Sequence, residues 1–431
     1  MLFRKLGQPS VVGEIAAGLI LRPSVLGRLF PGLFQAIFHP TTAEMPAVLF
    51  DSLLGWVLTT LSQLGLIFLL FLIGLEFDFG HLRWQGKAAL GISLAGIALP
   101  FALGFGLAHL MHPLVAASIP AFEFSLFLGT ALSITALPIL CRIMMELNIT
   151  RTRLGTITIS ASAVDDALGW ILLAATAAIV HAEFRLFDSL RMIASTVAFA
   201  AFMILVARPL LYRWTRATLH RHEGVLTVNN LAVLLMVLFG CAMVTNLIGI
   251  FAIFGAFILG AVLSTEEQFR LAVNHRLRDL VTAFFLPIFF AYTGLRTDVG
   301  TLGSMTLWGF CLLLTLAAIA GKLGGCGLAA WFSGFSLRES VCIGTLMNTR
   351  ALMALIVINV GKDLGVIPDS VFCMLILMAL VTTFMTTPLL LRLVSGTELE
   401  PYIRQSGFLF LPANRGASKE SSAKSAEAVS D

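Results

Sequence analysis

Charged side chains are scarce in this sequence: Asp, Glu, Lys and Arg supply 12% of its 431 residues, against 58% hydrophobic ones. Soluble domains run at about 25% charged, so a soluble globular fold is excluded. The formal net charge of +4 gives no ground for a nucleic-acid partner, because basic residues in so apolar a chain chiefly report sidedness. The cysteines at 141, 241, 311, 326, 342 and 373 lack metal-ligand spacing and read as small hydrophobes. Met1 to Leu21 lacks the small-residue cleavage pattern of a secretory leader.

What is present is a series of apolar runs, most of them about 20 residues long, the length that spans a bilayer as a helix. Twelve are read, at 10–28, 53–75, 88–111, 122–145, 154–180, 190–212, 226–247, 249–264, 278–295, 305–331, 340–360 and 371–394. The chain is therefore an all-α polytopic membrane protein. With the N-terminus inside, 17 basic residues fall in inner loops against six in outer ones, which is the positive-inside pattern with both ends cytoplasmic. Residues 397–431 read as a short polar cytoplasmic tail; from Pro412 on it is low in complexity, expected to be disordered, and without a glycine-rich nucleotide fingerprint.

Some charges lie inside the spans. An ionisable group near the bilayer centre costs at least ~2.5–3.5 kcal/mol, so its presence points to function. Asp165 and Asp166 sit near the middle of segment five, in "TISASAVDDALG". Adjacent helical residues point about 100° apart, so one carboxylate can face a cavity while the other faces a neighbouring helix. The partner expected for one of them is Lys322, in "AAIAGKLGGCG" of segment ten, where small residues allow close helix approach. Arg350, in segment eleven, is expected to pair either with backbone carbonyls or with a carboxylate.

Segments four and eleven share a short likeness, "GTALSITALP" and "GTLMNTRALM". Both open with Gly-Thr and are rich in hydroxyl or amide side chains, with Ala-Leu at one offset. Pro138 removes a helical hydrogen bond, and such side chains can satisfy the freed backbone groups. Helices unwound at corresponding places in two halves point to a transporter's binding site. Thr130, Ser133, Thr135 and Pro138, with Asn348, Thr349 and Arg350, are the candidate residues of these breaks. Freed carbonyls, hydroxyls and a carboxylate make a hard oxygen set suited to a small cation. A carboxylate that holds a proton or a cation, but not both favourably, couples the two ions by competition.

At these residues the sequence resembles the monovalent cation:proton antiporters, in the second branch of that superfamily, nearest the plant cation/proton exchangers and their bacterial relatives. The stretches that carry the resemblance include "GQPSVVGEIAAGLILRPSVLG", "LGLIFLLFLIGLEFD", "ALSITALPILCRIM", "ASAVDDALGWILLA", "LPIFFAYTGLRTD" and "MNTRALMALIVINVGKDLGVI". The resemblance implies two inverted-topology repeats with crossed broken helices, the sodium/proton antiporter fold, over residues 1–396. It implies a mobile core near 88–180 and 305–394 against a dimerisation panel near 10–75 and 226–295. Asp166 would carry Na+ or K+ and H+ in turn, and Asp165 would pair with Lys322. An acidic pair leans towards more than one proton per cation. A homodimer in a bacterial-type inner membrane is expected, with no cofactor.

Three departures from the family pattern stand out. Many relatives begin with a helix before the "GQP" stretch. Where relatives often read "TRGLMEL", Ala351 and Ala354 stand in place of the glycine and the glutamate. The nucleotide-binding regulatory domain of glutathione-gated potassium efflux relatives is not found. Two other functions come into question. The first alternative is a cation channel or K+ efflux system, and a continuous channel pore fits poorly with repeats flanking a midplane site. An intramembrane aspartyl protease needs its two acids on separate helices so that both face one water, and here they are adjacent.

Overall fold

The computed structural model describes residues 47–76, 86–181, 186–221, 226–248 and 251–405, with a few positions between 17 and 33. Segment one, at 10–28, lies almost wholly outside the described residues. Every described regular element is helical: α1 (Ala47–Glu76), α2 (Lys87–Val115), α3 (Ala121–Ser133), α4 (Leu137–Glu146), α5 (Arg153–His181), α6 (Leu186–Phe202), α7 (Arg208–Arg221) and α8 (Val228–Ile248). Then follow α9 (Ala252–Leu263), α10 (Glu267–Leu280), α11 (Leu286–Arg296), α12 (Met305–Phe332), α13 (Leu337–Met347), α14 (Ala351–Asp363), α15 (Asp369–Leu393) and α16 (Glu400–Gln405). Among the described residues, eight helical stretches are long and apolar enough to cross a membrane.

Two spans are continuous helices with a local π turn. Met203–Ala207 joins α6 to α7, and Val281–Phe285 joins α10 to α11. Each π turn is followed two residues later by a proline, Pro209 and Pro287. A proline lacks the N–H its helix needs, and a local change of hydrogen-bond register absorbs the loss.

The other irregularity is deliberate breakage. Segment four divides into α3 and α4, with Ile134 extended at φ −81° and ψ 137°. Pro138 stands in the first turn of α4, where a missing N–H costs nothing. Segment eleven divides into α13 and α14 around Asn348 to Arg350. The two breaks meet: the Ala136 N–H donates to the Thr349 carbonyl at 2.9 Å, and the Thr135 hydroxyl donates to the Met347 carbonyl at 3.1 Å. Backbone that leaves a helix at membrane depth must find partners in the protein. Here each break supplies them to the other.

The helices pack in two groups. Extensive contacts tie α2, α3, α5, α12, α13, α14 and α15 together, with α4 on α5. A second set joins α1, α8, α9, α10 and α11, and brings in α6 and α7. Small residues allow close approach within each. A Cβ at Gly260 of α9 would stand 2.2 Å from the Phe71 carbonyl oxygen, and one at Gly74 of α1 would stand 2.3 Å from that of Phe257. In the first group, Gly321 lies against Pro100, and Gly325 against the Ala95 carbonyl. Lipid tails are as apolar as leucine, so such packing, rather than hydrophobicity, holds helices together in a bilayer.

Residues 397–405, polar by composition, continue the folded domain. Leu399 and Ile403, one helical turn apart, are fully buried, and the Glu398 carboxylate accepts the backbone N–H groups of Arg153 and Leu154 at the start of α5. Their apolar spacing is masked by the charged residues around them.

Candidate functional site

The Asp165 carboxylate is wholly buried and committed. The Lys322 ammonium, from α12, lies 3.0 Å from each of its oxygens. Oδ2 also accepts the Thr135 N–H at 3.1 Å, a donor released by the break between α3 and α4. Neither side chain of the ion pair touches solvent. A charge pair so deep persists only when its remaining hydrogen-bonding capacity is met, and the broken helix meets part of it.

Asp166 is placed differently. It is 2% exposed, and its Oδ1 has no hydrogen-bond partner. One turn earlier on α5, the Ser162 hydroxyl is also buried without a partner. One turn later, the Trp170 indole lies within reach of the Asp166 carboxylate, although its N–H is buried without a hydrogen bond of good geometry, and its ring packs against Phe254 and Phe257 of α9 at centroid distances of 6.2 and 5.7 Å. Residues 162, 166 and 170 share one face of the helix. Buried polar atoms rarely go unmet, so this face is a candidate place for water or an ion. Ser162 is absent from the sequence-derived candidates, and its spacing of four from Asp166 is the signal that could have found it.

Around the crossing, most hydroxyls are tied to backbone. Thr130 donates to the Leu126 carbonyl at 2.8 Å and lies 2.9 Å from the Thr176 hydroxyl of α5. Ser133 donates to the Gly129 carbonyl at 2.7 Å. Thr349 donates to the Leu346 carbonyl and reaches Thr386 of α15 at 3.4 Å. The Asn348 side-chain oxygen is buried without a partner. Thr383 and Thr386 come from "VTTFMTTP", whose paired threonines four apart mark a polar face in an apolar helix, a second signal absent from the sequence-derived candidates.

Arg350 resolves in favour of carbonyls. Its guanidinium, fully buried, donates to the carbonyl of Leu132 near the end of α3, and to the Ala318 carbonyl of α12 at 2.9 Å. It thus ties the segment-eleven break to the segment-four break and to the helix that carries Lys322. The structure therefore brings together Asp165, Lys322, Thr135 and the Thr349 backbone, with Arg350 bracing the crossing from the side. Thr130 stands further along α3 and braces α5 instead.

Comparison with known proteins agrees with this geometry. The family described as sodium/hydrogen exchanger, transmembrane, matches residues 1–393. The chain is 41% identical over 394 residues to cation/H(+) antiporter 18 of Arabidopsis thaliana, covering 90% of this chain and 46% of that protein. It thus spans about half the length of the plant relatives it matches. It is 38% identical to the Na(+)/H(+) antiporter NhaS4 of Synechocystis sp., covering 91% of this chain and 93% of that one. Among solved structures, the sodium proton antiporter MjNhaP1 of Methanocaldococcus jannaschii superposes with a TM-score of 0.58 at 17% identity, covering 91% of this chain and 94% of the other. A chain of crossed broken helices with a buried Asp-Asp-Lys set, matched by that family over nearly its whole folded length, belongs to the sodium/hydrogen exchangers.

Proposed function

We propose that this protein exchanges Na+ or K+ for H+ across the membrane by alternating access, with cation and proton competing for Asp166. The observation that carries the proposal is the contrast within one dipeptide. Asp165 is neutralised by Lys322, whereas the next carboxylate has an oxygen with no partner. A buried carboxylate not held in that ion pair is free to take a proton, a hydrated cation, or a cation stripped of part of its water. Ser162 supplies a further oxygen, and the Asn348 side-chain oxygen, buried without a partner, is a second candidate.

In this reading Thr135 holds Asp165 through its backbone N–H, and Thr130, Ser133, Pro138, Thr349 and Arg350 shape the crossing. The helices of the Asp-Lys group form the mobile core, and those packed around α1 and α9 form the panel. The panel also makes a homodimer contact. Asp165 supports transfer of more than one proton per cation. The membrane is of the bacterial inner type, with both termini cytoplasmic. The names of the relatives, cation/H(+) and Na(+)/H(+) antiporters, support the transported ions.

The test is flux in proteoliposomes under an imposed pH gradient, with Na+, K+ and an impermeant organic cation, at two membrane voltages. Saturable, cation-dependent proton movement supports the proposal, and its voltage dependence reports the net charge per cycle. Proton movement indifferent to the cation, or conductance resolved as single-channel events, contradicts it.

A further inference from the structure

Away from the ion site, the two helix groups meet in a polar cluster at one end of the molecule. Arg296, the last residue of α11, donates to the Asp363 carboxylate at 2.8 Å and to the Asn359 side-chain oxygen at 3.2 Å. The Asn359 amide donates in turn to the Thr293 hydroxyl of α11 at 3.0 Å. One turn from Arg296 along α11, Tyr292 lies 2.5 Å from the Thr59 hydroxyl of α1, which anchors α11 to its own group. On the other side, Lys362 pairs with Asp369, and both Lys362 and Arg296 lie over the Phe372 ring, at 4.5 and 5.9 Å.

Arg296 and Asn359 form three side-chain hydrogen bonds that run between the groups here. At the opposite end, the bonds of Arg153, Arg338 and Glu398 stay within the first group and its continuation. The helix gripped by Arg296 is α14, the second half of broken segment eleven. Its first turn follows Arg350 at the crossing, nine residues from Asn359, or roughly 14 Å along a helix axis. A displacement of α14 relative to α11 therefore reaches the crossing directly.

The Arg296–Asp363 pair is also built to break. Its side chains are 21% and 40% exposed, against 0% and 0% for Lys322 and Asp165. Water can take over the charges of the first pair on separation, whereas the second has no such exit.

We propose that Arg296, with Asn359 and Asp363, is a pin that closes this end of the transporter and is released in every transport cycle. The proposal rests on the alternating-access reading above. The structure is then the conformation shut at the Arg296 end, and Arg296 is a positioning residue that sets how often that end opens.

The test uses a Thr293→Cys reporter, since Thr293 is fully buried beneath the pin. Labelling by a membrane-impermeant maleimide is followed in right-side-out and inside-out vesicles, with the six native cysteines giving the background. With Arg296→Gln or Asp363→Asn added, labelling accelerates at least fivefold, from the face that carries Arg296. Exchange turnover changes, while KM for the cation stays within twofold, because the pin does not touch the ion. Unchanged labelling in folded protein, in both variants, overturns the pin. Asp363→Asn alters only a partly exposed side chain and carries the test if Arg296→Gln fails to fold. Wild-type protein without exchange would sink the transport reading instead, and the labelling result would stand apart from it.

Discussion

Lys322 holds both oxygens of Asp165 at 3.0 Å, and the very next residue, Asp166, stands outside that ion pair with one oxygen buried without a hydrogen-bond partner. A helix turns about 100° between the two, so one carboxylate meets the Lys322 helix while the other faces elsewhere, as the proposed exchange at Asp166 requires. The order matters. The neutralised acid is the one bonded to the broken helix through Thr135. On the proposed mechanism, a change of occupancy at Asp166 would be felt beside an element already detached from regular helix.

Removing one partner of the buried pair should be far worse than removing both. Lys322→Ala leaves the Asp165 charge buried and unpaired, at a cost of roughly 3–5 kcal/mol. Adding Asp165→Asn to it should recover part of that loss, a coupling that a double-mutant cycle in detergent melting experiments will read. The Na+ to K+ preference of Lys322→Ala should change little. Losses that simply add would mean the pair is not an energetic unit.

Close packing of α1 on α9 depends on two glycines. Gly260→Ala drives a Cβ into the Phe71 carbonyl, which is backbone and cannot swing aside. Overpacking of this kind costs roughly 1–3 kcal/mol, and the upper part of that range is expected here. Thermal melting should fall for Gly260→Ala and Gly74→Ala but hold for Gly240→Ala, which has open space around it. Equal melting of all three would show that the helix approach is unimportant.

The segment after α15 carries a pH-dependent contact. The Gly396 N–H, and then Arg404, hold the Glu400 carboxyl below the usual glutamate range. A lowered value means that the contact contributes above the ordinary glutamate pKa and is lost as pH falls through the lowered one. Glu400→Gln should therefore speed amide exchange across residues 396–405 at neutral pH. Once acid has protonated the wild type, the two proteins should exchange alike. A difference that survives in acid would place the effect elsewhere.

Charge in a bilayer is so costly that Asp165, Asp166, Lys322 and Arg350 stand out from the sequence alone, and the matched "GT" openings mark both broken helices. Side-chain chemistry by itself leaves Arg350 open. A guanidinium has five donors and can satisfy itself on carboxylate or carbonyl, and only the approach of Leu132 and Ala318 decides between them. Arg296, Asn359 and Asp363 are not legible as a cluster because 63 and 67 residues separate Arg296 from its partners, and Asn359 stands in an apolar run without a pattern of its own. The packing of residues 397–405 is hard to read for a different reason. Three of them are charged, and the two that pack, Leu399 and Ile403, are hidden among them.

The most direct test is Asp166→Asn in proteoliposomes, with melting measured on the same protein. Asparagine keeps the shape and removes both the negative charge and the site for a transferable proton. Cation-dependent proton movement should fall to that of empty liposomes, with melting close to that of the wild type because asparagine fills the same space. Exchange that continues at a measurable fraction of the wild-type rate in that variant would contradict the assignment of Asp166 as the carrier.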